Sequence, residues 1–293
     1  MSVKQSLLEG SLLKDYQNKA YEVLDYSLDD FSKSRYAFKF GKQVASLNII
    51  GFSVRQDIQS YDYYTPKRNY SQSWSTSSFL TTKQRTYDDL GGNIVTYQAN
   101  GSKLMSEAQP KKMSYDEYIL RYGKLPQRKY QVVNKFLNKE SRIHEAYLFP
   151  DTENNTNQRD IYGSLIYDIK EDTLKSQSLE KNDKGFLLSF DLDVRYALDH
   201  YALQMMNTGS LYELPKFTLS KVHVLLDENL HLKEVRCHDE FSGKTGFVSA
   251  KISMESLLLY FTSDSQRFEY EGKSQVLEIP EPNSPFNADE LFE

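Results

Sequence analysis

The order of apolar and polar positions changes period along this chain. Residues 11–28, SLLKDYQNKAYEVLDYSL, set Leu12, Leu13, Tyr16, Ala20, Tyr21, Leu24 and Leu28 at spacings of three and four. That spacing predicts one amphipathic helix with Ser11 as its N-cap and an apolar stripe packed on something flat. From residue 35 the period becomes two. Tyr36, Phe38 and Phe40 share one side of a predicted strand, and Arg35, Ala37 and Lys39 share the other. In the next, Ile50, Phe52, Val54 and Ile58 alternate with Ser53, Arg55, Asp57 and Gln59. Strands with one wet face are expected to pair antiparallel. Trp74, Leu80, Ile94 and Tyr97 fall on further strand-like stretches, and Asn100-Gly101 reads as a two-residue hairpin turn leading into SKLMSEA.

The middle of the chain reads as helical. Ser114 and Glu117 have capping-box spacing, Gly123 closes that helix, and a second short helix is predicted over 128–138 with Tyr130, Val133 and Leu137 inward. Residues 151–160, DTENNTNQRD, contain no apolar side chain and form an expected solvated loop. Alternation resumes at Leu165, Tyr167 and Ile169, and again at Phe186, Leu188, Phe190 and Leu192 after the turn KNDKG. A helix is expected from Asp193, as cap, to Gly209, followed by strands at 217–226, 230–241, 247–261 and 266–271. The order implies an α+β fold: a large curved antiparallel β-sheet, an open half-barrel, with helices covering the concave face. The chain divides into an N-terminal linker (1–10), a single β-rich domain (11–279) and an acidic, proline-containing tail (280–293). A helix-then-strands pattern recurs at 11–107 and 191–271, around the helical middle at 114–138.

Composition narrows the classes. Hydrophobic residues at 39% and charged residues at 26% describe a globular chain. Its 22 Tyr and 16 Phe stand against one Trp, and tyrosine suits half-buried strand positions and binding surfaces. The net charge is −5 and the densest basic patch, at Lys111-Lys112, is short, which argues against nucleic acid as a partner. One cysteine, Cys237, excludes an internal disulfide and a multi-cysteine zinc cage. No apolar run approaches the ~20 residues of a membrane helix. The start MSVKQSLLEG lacks the apolar core and cleavage site of a secretory signal. The expected compartment is therefore the cytoplasm or, if an export signal has been trimmed, the cell envelope or exterior.

Catalytic signatures for phosphate loops, dinucleotide folds, zinc proteases and serine hydrolases are absent from the sequence. DTENNTNQRDIY begins like a calcium loop at Asp151, Glu153 and Asn155, but has Thr156 where glycine is needed and ends on Tyr162 rather than Glu. Asp191-Leu192-Asp193 sits where a strand hands over to a helix, so Asp193 is read as a cap rather than a metal ligand. VRCHDEF, residues 235–241, puts Cys237 beside His238, Asp239 and Glu240. On the predicted hairpin 221–241 the turn is DEN, with Val222, Val224 and Leu226 on one face and His223 and His231 on the other. Beyond Leu232 the apolar phase slips by one, so a β-bulge near Lys233-Glu234 is predicted. The bulge returns Val235 and Cys237 to the core, turns His238 and Glu240 to water and leaves Asp239 towards the strand end. Neither a metal set nor a cofactor is expected.

FTLSKVHVLLDENLHLKEVRCHDEF, following a long N-terminal helix and Tyr- and Phe-rich strands, resembles bacterial lipoproteins of the lipoprotein-carrier type. DEYILRYGKLP and ALDHYALQMMNTGSLYELPKF are similar to uncharacterised lipoproteins of low-GC Gram-positive bacteria. The lipobox cysteine of such proteins is missing. The resemblance implies a half-barrel with a cavity for acyl chains, and membrane association only through a removed N-terminal anchor. The leading expectation is a non-enzymatic surface or envelope domain that binds an apolar, lipid-like molecule. Its expected contact residues are Phe38, Phe40, Phe52, Trp74, Phe186 and Phe190. Two alternatives follow from other residues: a protein or cell-wall interaction module using the Tyr-rich stretch SYDYYTPKRNY (60–70), and a hydrolase using carboxylates such as Asp168 and Asp191.

Overall fold

The computed structural model describes residues 2–34, 37–49, 52–64, 69–77, 81–88, 93–101, 111–114, 128–130, 144–146, 167–198, 201, 215–245, 248–262, 267–270 and 272–276. Three short helices open the chain: α1 (Val3–Leu8), α2 (Leu12–Tyr16) and α3 (Ala20–Ser32). Ala20, Val23, Leu24, Leu28 and Phe31 bury one stripe of α3. The single helix expected over 11–28 is interrupted at residues 17–19. There Gln177 accepts from the Tyr21 N–H (3.2 Å) and donates to the Asn18 carbonyl (2.7 Å), satisfying backbone groups freed by the break. Ser11 donates its hydroxyl to Asp15 instead of capping.

Strands β1 (Ala37–Ile49), β2 (Phe52–Tyr64), β3 (Asn69–Ser77), β4 (Thr81–Asp88), β5 (Asn93–Gly101) and β6 (Lys111–Ser114) form one antiparallel meander. Strands β9 (Leu174–Asn182), β10 (Gly185–Leu192), β11 (Lys216–Leu226), β12 (Leu232–Thr245) and β13 (Val248–Phe261) form a second. They join where β1 pairs with β13, from Phe38 opposite Phe261 to Ile49 opposite Ala250. The result is an eleven-stranded sheet, not closed, ordered β6-β5-β4-β3-β2-β1-β13-β12-β11-β10-β9. Two small hairpins complete the strands: β7 (Arg128–Tyr130) with β8 (His144–Ala146), and β14 (Arg267–Tyr270) with β15 (Lys273–Val276).

This corrects the α+β expectation of helices spread over a concave face. The fold is mostly antiparallel β, and the three helices make their main contacts with β9, β10 and β12 only. In the expected helical middle, 114–138, Ser114 ends the strand Lys111–Ser114 and Arg128–Tyr130 is a strand; the other residues of that range lie outside the described ones. Asn100-Gly101 is not a turn; both residues pair in the ladder, opposite Thr82 and Thr81. In each case strand pairing overrides a local signal. At the expected helix after Asp193, the Arg195, Tyr196 and Ala197 N–H groups all bond to Asp193, so its capping role holds through the turn that reaches Leu198.

The main core lies between the helices and β9–β13. Leu12, Tyr16, Val23, Leu24 and Leu28 pack with Leu179, Leu188, Phe190, Leu192, Val222, Val224, Leu226 and Val235. Phe31 meets Tyr260 of β13 edge to face, with ring centroids 5.2 Å apart. The β11–β12 turn is built on Asp227, whose Oδ1 accepts from the N–H groups of Asn229 and His231, both at 2.9 Å. Leu230 follows with φ +66°, a left-handed backbone costing about 1–2 kcal/mol in a non-glycine residue. Its complete burial contributes about 1.5–3 kcal/mol, so hydrophobic burial outweighs the strain. The predicted bulge is present: Leu226 faces Leu232 while Leu225 faces Glu234, leaving Lys233 as the extra residue.

Gly185 opens β10 at φ +131°, and a Cβ there would lie 2.1 Å from the Leu226 carbonyl oxygen. Gly185→Ala is expected to cost more than about 1 kcal/mol, read as a lower denaturation midpoint at unchanged slope. A midpoint equal to wild type would contradict this close approach.

Candidate functional site

The pleat sorts the central strands into two unlike faces. On the helix side, β1 presents Ala37, Lys39, Gly41, Gln43, Ala45, Leu47 and Ile49. In register with them lie Phe52, Val54, Gln56, Ile58, Ser60 and Asp62 of β2, and Ile252, Met254, Ser256, Leu258 and Tyr260 of β13. Serines at 71, 73, 75 and 77 of β3 continue the same face, opposite Asp62, Ser60, Ile58 and Gln56. Most of these side chains are half-buried. Leu47, Ile252 and Leu258 pack against the margin of the main core. Phe52, at the β2 end beyond the reach of the β3 pairing, is 74% exposed.

Polar groups on this face bond to one another. The Gln43 carboxamide donates to Ser256 Oγ (3.0 Å), and that of Gln56 donates to Ser75 Oγ (2.6 Å). Gly41 keeps the floor low between them: a Cβ there would lie 2.5 Å from Ser60 Oγ and 3.1 Å from Leu258. Lys39 and Asp62 are direct cross-strand partners. Burial pushes the Lys39 ammonium below its usual range and the Asp62 carboxyl above its own, each opposed by the charge of the other.

The other face carries a separate aromatic cluster under the β14–β15 hairpin. Phe268 lies 5.2 Å from Phe38, 5.3 Å from Phe40 and 5.9 Å from Phe261, between ring centroids. Tyr270 sits 4.8 Å from Phe40, with Lys42 Nζ 5.5 Å from its ring centroid. Tyr63 and Tyr70 are buried. The six aromatic residues singled out by sequence are therefore not brought together. Phe38 and Phe40 are buried in this cluster, whereas Phe186 and Phe190 are buried in the main core on the opposite side. Phe52 belongs to the helix-side face, and Trp74 sits opposite Gln59 in the β2–β3 register.

VRCHDEF follows the pleat set by the bulge. Cys237 is buried, and burial pushes its thiol up to about 12, so it remains protonated at neutral pH. His238 faces out beside Glu240 (3.4 Å) and Glu255 (3.8 Å), while His223 bonds Ser189 (2.9 Å) and His231 bonds Asp227 (3.1 Å). Among the described residues no cluster of histidine, cysteine and acidic side chains could hold a metal. The carboxylates named for hydrolysis pair with lysines, Asp168 with Lys170 at 2.9 Å and Asp191 with Lys175 at 3.8 Å.

Asp239 is the residue that sequence reading misplaced. The alternation that buries Val235, Cys237 and Phe241 buries Asp239 too, at 0% exposure. Ser220 donates to Oδ1 and Tyr167 to Oδ2, both at 2.6 Å. Tyr201 stacks edge-on against Tyr167 (5.8 Å) and donates to Met254 Sδ (3.4 Å). Burial raises the Asp239 carboxyl above the usual range, against the lowering effect of the two hydroxyl donors. The cluster ties β11, β12 and the segment entering β9. Ser220 thus commits its hydroxyl hydrogen bond to this buried carboxyl.

No family model matches the chain, and no curated protein matches it. Among solved structures, a DUF1329 family protein from Desulfovibrio piger is 10% identical over 84% of this chain and 91% of its own, with a TM-score of 0.23. Neisserial surface protein A is 7% identical over 78% and 98%, with a TM-score of 0.18. Ail, the attachment invasion locus protein of Yersinia pestis, is 9% identical over 77% and 97%, also at 0.18. Overlaps this low add nothing to the reading of the site.

Because burial raises the folded-state pKa of Asp239 above the ordinary 3.8, its protonated form stabilises the fold. That contribution is complete below the ordinary value and is lost as pH rises through the folded one. Asp239→Asn stays neutral throughout, so wild type should lose stability relative to it as pH rises from below 3.8. Paired urea denaturations across that range measure this. A wild type that gains on the variant with rising pH would contradict it.

Proposed function

We propose that the chain is a non-enzymatic binding domain of the cell envelope, taking a small amphiphile along the helix-side face of β1, β2 and β13. One observation carries this reading. The apolar row Leu47, Val54, Ile58, Ile252 and Leu258 continues outward from the main core onto strands away from the principal contacts of α1–α3, and stays half-buried. Half-buried apolar side chains away from the principal contacts of the described helices favour an acyl or alkyl chain, at about 0.8 kcal/mol per buried methylene. The resemblance of Val222–Asp227 and Leu230–Phe241 to lipoprotein-carrier proteins supports the same class of ligand. Buried and shared aromatic rings argue against the Tyr-rich stretch as an exposed docking surface, since Tyr63 and Tyr70 are covered. A protonated thiol and lysine-paired carboxylates argue against nucleophilic or acid–base catalysis at the residues considered for it.

A fluorescent fatty acid, dansyl-undecanoate, should bind saturably and with 1:1 stoichiometry. Val54→Lys sets a charge in the apolar row and should weaken binding at least about tenfold, near 1.4 kcal/mol. Ser53→Lys points to the other face of the same strand and should bind as wild type. Lack of saturable binding, or equal affinity in the Val54→Lys protein, would overturn the reading.

A further inference from the structure

The helix-side face also carries information about the polar end of its ligand. Across the described side chains of β1, β2, β3 and β13 it holds only two charged residues, Lys39 and Asp62, and these are cross-strand partners. The opposite face of the same strands carries Lys42, Arg55, Asp57, Lys251 and Glu255. These strands thus place their charges on one side and keep the other side neutral yet polar. The neutral polar side chains are Gln43, Gln56, Ser60, Ser256 and the serines at 71, 73, 75 and 77, beside the apolar row. Hydroxyl and carboxamide groups both donate and accept hydrogen bonds. Gln43 and Gln56 each commit one N–H to a serine, and a carboxamide carries a second N–H and an acceptor oxygen. An anionic or zwitterionic headgroup would meet no unopposed cation on the described part of this face, whereas sugar hydroxyls, which both donate and accept, are chemically matched to its hydroxyls and carboxamides.

Resting on the binding role argued above, we infer that the ligand is a neutral glycolipid-like amphiphile, its chain along Leu47, Val54 and Ile252 and its polyhydroxylated head on the glutamine–serine ladder. The headgroup decides selectivity, and charge on the ligand is excluded by desolvation without a partner.

Isothermal titration of the full chain compares three twelve-carbon amphiphiles below their critical micelle concentrations: dodecyl maltoside, dodecylphosphocholine and dodecanoate. Dodecyl maltoside should bind at least tenfold tighter than either of the others. Gln56→Leu and Gln43→Leu should each cut the ratio of maltoside to dodecanoate affinity several-fold. Equal affinities across the three headgroups would overturn this inference and leave the binding role standing, as would a ratio unmoved in both variants. Absence of binding by all three would overturn both. A dimer seen by sedimentation that dodecyl maltoside fails to dissociate would assign the face to a second copy of the chain and overturn the glycolipid assignment.

Discussion

The pairing of β1 with β13 holds the rest of the structure together. Without it the chain would be two meanders, β1–β6 and β9–β13, each with a long unpaired edge. With it, residues more than two hundred positions apart become neighbours, Phe38 beside Phe261 and Leu47 beside Ile252. The join aligns an apolar core built under α1–α3 with the more polar face of β1–β3. It also sets Phe38, Phe40 and Phe261 side by side under Phe268. Pairing so distant in sequence carries a loop-closure cost, so its stability must come from side chains on both faces. Buried aromatic rings on one side and Tyr260, Met254 and Ala45 on the other supply them.

Much of the strand order was legible because period two is a strong signal. The alternation of Phe186, Leu188, Phe190 and Leu192 and the phase slip after Leu232 both survive as observed burial and register. Face assignment between distant strands was not legible. Phe38 and Phe190 have equal claims to a core in sequence, and only the β1–β13 register puts them on opposite sides of one sheet. Helical signals failed where they were short: Ser114 in a capping-box pattern ends a strand, and the 11–28 stripe is split because Gln177 on β9 meets the freed backbone. Asp239 could have been read correctly by carrying the Val235–Cys237 alternation two residues further. Read by sequence it falls towards the strand end instead, and the hydroxyls that reconcile it with burial, Ser220 and Tyr167, come from distant segments.

Two buried polar arrangements serve different ends in this fold. The Asp239 cluster is closed, with both carboxylate oxygens bonded and no exposure, and it fixes one register of β11 against β12. The glutamine–serine ladder is half-buried and built of groups with hydrogen-bonding capacity beyond their mutual contacts. A sealed network stabilises a core; a half-buried neutral one is the feature on which the proposed recognition of a neutral polar molecule rests. That contrast lies within a single sheet face, with the sealed cluster on β11–β12 and the half-buried ladder on β1–β3 and β13.

The most direct measurement is photo-crosslinking of the full chain with a dodecyl maltoside bearing a diazirine in its alkyl chain, followed by mass-spectrometric mapping of labelled residues. Labels are expected to concentrate at Leu47, Val54, Ile58 and Ile252 and to be competed away by unlabelled dodecyl maltoside. Labels on the aromatic cluster around Phe268, or spread over the charged face at Arg55, Lys251 and Glu255, would contradict it.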